Sequence, residues 1–115
     1  MMIYNCGDVV LLPFPFTDLT TAKQRPAVVI SSSWFNSNRK DIIVAAITSQ
    51  VSTSLARDEI HLPVQEQSRA GLPKPSIVKV TKIVTIDQSL VRKRLGSLSP
   101  KFMKKLTKTV KQFIG

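Results

Sequence analysis

Lys23-Gln24-Arg25-Pro26-Ala27-Val28-Val29-Ile30 and, after one polar loop, Ile42-Ile43-Val44-Ala45-Ala46-Ile47-Thr48-Ser49-Gln50 are the stretches that decide the fold. Both are apolar and rich in β-branched residues over more positions than a half-exposed strand tolerates. They read as buried strands of one small core. Each carries a polar tip. Pro26 fixes the backbone beside Arg25 and biases Arg25 itself toward an extended conformation, which limits the wobble of its side chain's base. An always-charged guanidinium and a hydroxyl on rigid strands are the minimum needed to handle a phosphate. Each also has a plain structural reading. Arg25 can be a surface arginine before a strand, and Thr48 a β-branched strand residue with its hydroxyl on the backbone.

Outward from this pair the chain reads as short strands with a helix at the end. Gly7-Asp8 marks a turn and Val9 to Leu12 a first strand. Pro13-Phe14-Pro15-Phe16 cannot continue as a central strand, because proline supplies no ladder N–H. Thr17 to Gln24 reads as a polar loop, Pro26 to Ser32 as the buried strand and Ser33 to Lys40 as a second loop marked by Asn36, Ser37 and Asn38. Asp41 to Ser49 is the third strand, and Glu59-Ile60-His61-Leu62 alternates as a half-exposed strand does. Gln65 to Ala70 fits one helical turn closed by Gly71, after which Pro73 and Pro75 stiffen a loop. Ser76 to Ile86 alternates as one long strand, or two joined by a bend. Asp87 is placed to cap a short turn reaching Arg92, and Gly96-Ser97-Leu98 to add a small final strand.

Ser99 as N-cap and Pro100 at the first helical position begin the clearest helix. Phe102, Leu106, Val110 and Phe113 share one face, with Met103 and Ile114 beside them. Lys101, Lys104, Lys105, Lys108 and Lys111 occupy the other, and Gly115 ends the helix. The sum is a single β-rich α+β domain over residues 1–115, a small, partly open barrel with a C-terminal helix.

Composition narrows the function. The chain has 115 residues, 43% of them hydrophobic, enough for a real core. No apolar run approaches the roughly 20 residues of a membrane helix, and the start lacks the basic and apolar regions of a secretory signal. Cys6 is the one cysteine, which excludes an intrachain disulfide and a multi-cysteine metal site and fits a reducing cytoplasm. No cofactor is expected. Net charge is +10, with 17 basic residues against 7 acidic ones. Residues 57–115 hold 13 of those basic groups and four of the acids, and from Gln88 onward there is no acid at all. Such a stretch attracts polyanions, either nucleic acid or an acidic protein.

The run Gly7-Asp8-Val9-Val10, then Pro13-Phe14-Pro15-Phe16-Thr17-Asp18, then Gln24-Arg25-Pro26-Ala27-Val28-Val29-Ile30 resembles the PemK/MazF toxin family. So do Ala45-Ala46-Ile47-Thr48-Ser49-Gln50 and Thr85-Ile86-Asp87 before the basic C-terminal region. These blocks follow in family order over about residues 7–114. The resemblance implies an SH3-like β-barrel that forms a homodimer. It implies a metal-independent, sequence-selective endoribonuclease toxin that cuts single-stranded RNA, and a cognate acidic antitoxin that blocks the RNA groove. Attack of the RNA 2′-hydroxyl on the adjacent phosphorus would leave a cyclic phosphate and a 5′-hydroxyl. Arg25 and Thr48 match the family's catalytic pair. Ser49, Gln50, Lys79 and Lys82 would line the groove, and Lys23 lies in a first loop that in relatives often covers the RNA. Trp34 and Phe35 could stack an unpaired base or pack over the barrel mouth.

The sequence constrains this chemistry. His61 is the only histidine, so a two-histidine acid–base pair within one chain is impossible. The Arg-x-Asp pair of some relatives is replaced by Lys79-Val80-Thr81, and Thr81 cannot stand in for a carboxylate base. Two rival readings share the fold, a gyrase-binding toxin and an RNA-gripping module that does not cut. Gyrase poisons commonly end in tryptophan and isoleucine, whereas this chain ends Phe113-Ile114-Gly115.

Overall fold

Apolar residues at alternating positions build one antiparallel sheet. The computed structural model describes residues 3–13, 23–49 and 56–115. Its strands are β1 (Asp8–Pro13), β2 (Gln24–Val29), β3 (Asp41–Thr48), β4 (Glu59–His61), β5 (Ile77–Asp87) and β6 (Lys93–Ser97). They lie in the order β4-β5-β3-β2-β1-β6. The helices are α1 (Ser33–Asn38), α2 (Val64–Arg69) and α3 (Pro100–Ile114). This is the partly open, β-rich α+β architecture expected from the sequence. Among the described residues no helix is long and apolar enough to cross a membrane. Phe14 to Phe16, most of the first loop, and Gln50 lie outside the described residues.

Cross-strand register sorts the core onto two faces. Val9, Val28 and Ala45 stand opposite one another across β1, β2 and β3, and they cluster with Phe102, Met103, Leu106 and Val110 of α3. Val10, Ala27 and Ala46 form the neighbouring row, and they cluster with Tyr4, Leu12, Ile42 and Ile86 on the other face. Each fully buried valine or leucine contributes about 1.5–3 kcal/mol of transfer free energy. Both faces of the central strands are therefore sealed, which is why β2 and β3 read as continuous apolar runs.

Several local expectations change. Ser33 to Lys40, expected as a loop, contains α1. The Ser32 hydroxyl caps it by accepting from the Phe35 N–H at 3.3 Å. Asn36, which looks like a turn residue, is buried and donates to the carbonyls of Tyr4 at 2.8 Å and Ser31 at 3.2 Å. β2 starts at Gln24, before Pro26, because β1 pairs with it there (Leu12 with Arg25, Pro13 with Gln24). β6 is longer than Gly96 to Leu98. It pairs along β1, where Arg94 reaches the buried Asp8 carboxylate at 3.1 Å. Phe113 does not join the buried face of α3. It is 42% exposed, because the apolar cluster ends at Val110.

Two devices shape the region beside the ends of β2 and β3. β5 is one strand with a bulge, since Ala45 pairs with Ile83 but Ala46 with Lys79, leaving Val80, Thr81 and Lys82 inserted. The loop Leu72–Ser76 is tied at both ends. Gln67 holds Leu72 through a backbone bond of 3.1 Å and an amide bond of 3.2 Å, and the Leu62 N–H donates to the Ser76 carbonyl at 2.9 Å. Gly71 turns the chain out of α2 with φ +71°, and any Cβ there would strike the Leu95 carbonyl of β6.

Candidate active site

In an antiparallel pair the start of one strand lies beside the end of the other. Ala27 pairs with Ala46, so two further steps of the same register bring Arg25 and Thr48 side by side on one face. Neighbouring strands fix both backbones, Leu12 of β1 opposite Arg25 and Ile77 of β5 opposite Thr48. Arg25 and Thr48 border one cleft of about 280 Å³. Arg25 is half-buried, with its Nε screened from solvent, so part of the guanidinium is already removed from water. Thr48 is half-buried and Ser49 exposed.

The far wall comes from a different part of the chain. Lys74 and Ser76, from the loop between α2 and β5, line the same cleft with Leu72 and Pro73. The Ser76 hydroxyl donates to the Lys74 carbonyl at 2.9 Å, which holds the turn. Among the described residues no carboxylate borders the cleft, and its charged lining is Arg25 and Lys74. A concave surface carrying one sign of charge concentrates the opposite sign, here an anion. Two cations and flanking hydroxyls can accept a phosphodiester, neutralise its oxygens and stabilise added negative charge as phosphorus becomes five-coordinate.

The other residues singled out from sequence lie elsewhere. Lys79 stands opposite Ala46, outside the cleft, with its ammonium 3.8 Å from the Glu59 carboxylate. Lys82 is exposed in the β5 bulge, and Lys23 is exposed just before Gln24. Trp34 sits on α1, which follows the opposite end of β2 from Arg25. A strand of six residues separates the two ends by roughly 20 Å. Trp34 is 63% exposed, with the Arg39 guanidinium 5.1 Å from its ring centre. Gln50 lies outside the described residues. His61 is exposed on β4, opposite Ile77 of β5, and does not line the cleft. Burial, with Asp8 adding to it, pushes the Cys6 thiol up, away from the thiolate. Among the described residues, no three His, Cys, Asp or Glu side chains gather as a metal site.

Lys74 and Ser76, which line the cleft, did not stand out from the sequence. The available signal was a lysine held between the two prolines that stiffen its loop, Pro73-Lys74-Pro75-Ser76. Nothing in its spacing said that it would face the ends of β2 and β3.

Comparison with known proteins is concordant along the chain. The model of the PemK-like, MazF-like toxins of type II toxin–antitoxin systems matches residues 5–114. The chain is 31% identical over 110 residues to the endoribonuclease MazF of Staphylococcus saprophyticus, covering 95% of this chain and 89% of that protein. It is 30% identical over 94 residues to the endoribonuclease MazF6 of Mycobacterium tuberculosis, covering 81% and 80% of the two chains. Among solved structures, MazF of Deinococcus radiodurans superposes with a TM-score of 0.78 at 18% identity, covering 100% of this chain and 99% of that one. A mycobacterial endoribonuclease in complex with its cognate antitoxin superposes with a TM-score of 0.76 at 17% identity, covering 97% and 95%.

Proposed function

The chain belongs to the PemK-like, MazF-like toxins of type II toxin–antitoxin systems, and from that premise we propose how this endoribonuclease holds and cuts its RNA. Its substrate is single-stranded RNA, bound with the scissile phosphate between Arg25 and Thr48. The RNA 2′-oxygen attacks the adjacent phosphorus, the bond from phosphorus to the 5′-oxygen breaks, and a 2′,3′-cyclic phosphate and a 5′-hydroxyl result. One proton leaves the 2′-hydroxyl and one is gained by the departing oxygen, so the step is proton-neutral.

A guanidinium is a cation with a planar fork of donors, which suits Arg25 to the developing phosphorane rather than to proton abstraction. The Thr48 hydroxyl donates to a non-bridging oxygen. Ser49 and Gln50 orient the neighbouring nucleotide, and Lys23, Lys79 and Lys82 draw flanking phosphates. Trp34, being remote, stacks a base only of an RNA that runs the length of β2. The shared cleft of Arg25, Thr48 and Ser49 carries this reading. No metal is needed, since the cations and hydroxyls lining the cleft can supply the charge stabilisation. The enzyme acts as a homodimer of this one domain in the cytoplasm. Its antitoxin is an acidic chain that covers the basic RNA-binding surface.

The test is cleavage of a broad panel of single-stranded RNAs by purified protein in excess EDTA. Fragments ending in cyclic phosphate are expected, and one 2′-deoxynucleotide at the cut position should abolish them. A panel left intact, with or without EDTA, would sink the proposal.

A further inference from the structure

We propose that Lys74 is a substrate-binding residue that holds the RNA phosphate next to the scissile one. The inference rests on the cleft being the cleavage site and adds a role to its far wall. The first support is convergence. Lys74 reaches the cleft from the loop after α2, whereas Arg25 and Thr48 reach it from β2 and β3. The second is a built backbone. Pro73 and Pro75 restrict the chain on both sides of Lys74, and Ser76, buried and hydrogen-bonded to the Lys74 carbonyl, fixes the turn. The Leu72 and Ser76 ends are bonded to Gln67 and Leu62, so the loop presents its lysine from a fixed base.

The third support is charge. Among the described residues no carboxylate lines the cleft and no ion pair engages Lys74. Lys79 differs, because its ammonium has Glu59 within 3.8 Å. An ammonium beside an acid is partly neutralised before any phosphate arrives, and no described acid stands beside Lys74 in that way.

Position decides which phosphate Lys74 takes. Arg25 is half-buried in the cleft, and Lys74 is exposed at its rim. The scissile phosphate, which must meet the Thr48 hydroxyl, belongs with the inner cation. The next phosphate along the strand falls to the outer one. Lysine suits that outer place. It is a compact charge on a flexible stem and tolerates the variable geometry of a flanking phosphate.

The experiment compares Lys74→Gln, Lys74→Arg and wild type in steady-state cleavage of a single-stranded RNA across a range of salt concentrations. Binding of the same RNA carrying a 2′-deoxynucleotide at the cut site is measured alongside. With Lys74→Gln, KM and the dissociation constant rise roughly tenfold, as for loss of one charge-assisted contact. The turnover rate stays within about twofold. The slope of log affinity against log salt becomes shallower by about 0.7, the value for one phosphate contact on a single strand. Lys74→Arg restores most of the affinity and the slope. An unchanged slope and KM in Lys74→Gln overturns the proposal, and so does a fall in turnover at unchanged KM. Full cleavage by both Arg25→Ala and Thr48→Ala would instead remove the cleft itself as the cleavage site, whatever Lys74 does.

Discussion

The two ends of the β2–β3 pair place their polar side chains differently. At the α1 end, polar groups satisfy one another. The Ser31 hydroxyl donates to the Asn36 side chain and accepts from the Ile43 N–H at 3.0 Å, and Asn36 donates to the Tyr4 carbonyl at 2.8 Å. Gln88 closes the set by donating to the Asn36 carbonyl at 2.8 Å. Ser31 and Asn36 are both buried. At the other end Arg25, Thr48, Ser49 and Lys74 border a cleft. A polar residue at a strand tip is therefore uninformative by itself. Polar groups locked on each other below the surface hold the fold, and polar groups arrayed around a shared cleft can hold a ligand.

Substitutions at the cleft end should remove chemistry. Arg25→Ala is expected to lower kcat/KM about 10³-fold, and Thr48→Ala roughly 10²-fold, as for removal of donors aimed at transition-state charge. Binding of a 2′-deoxy-blocked RNA should largely survive Thr48→Ala. Wild-type cleavage rates for Arg25→Ala would break the contrast between the two ends.

Asn36→Ala should do the reverse. It leaves Ser31 and the Tyr4 carbonyl short of partners in a buried setting, a loss of about 2–4 kcal/mol of stability. Cleavage per folded molecule should match wild type, because Asn36 lies at the far end of the strands from Arg25. Chemical denaturation paired with kcat on the folded fraction measures both. Normal stability with lost turnover would show that the α1 end also serves the reaction.

This division also explains what could be read from the sequence. β2, β3 and α3 were legible because their apolar periods are long and their caps local. Ser99, for example, accepts from Phe102 three residues on, at 3.1 Å. α1 was not legible, because it is a single short helix whose Asn36 is buried by bonds that include the Tyr4 carbonyl, 32 positions away. Phe113 kept the helical period, but the core it would have met ends at Val110. In the cleft, Arg25 and Thr48 stood out through the strands that carry them and through a family resemblance. Lys74 did not, because its partners in the cleft come from strands far away in sequence.

The smallest expected effect concerns Asp87, also at the α1 end, where β5 pairs it with Asp41. Its carboxylate accepts from the Ser89 N–H at 2.8 Å and caps the 3₁₀ turn Gln88–Leu90. That backbone bond first, then the Ser89 hydroxyl and the charge of Lys40, hold its carboxyl below the usual carboxylate range. A folded-state value below the unfolded one means that the folded protein binds this proton less readily. The charged cap therefore adds stability above the unfolded value, about 3.9, and loses it as pH falls through the lowered folded value. Asp87→Asn keeps an acceptor oxygen and removes the charge. Wild type should melt slightly above the variant at neutral pH, with the gap closing as pH falls below about 4. A gap that persists unchanged at low pH would show that packing, not the ionised cap, sets it. RNA cleavage at neutral pH should be the same in both proteins, which separates this end of the sheet once more from the end that carries Arg25.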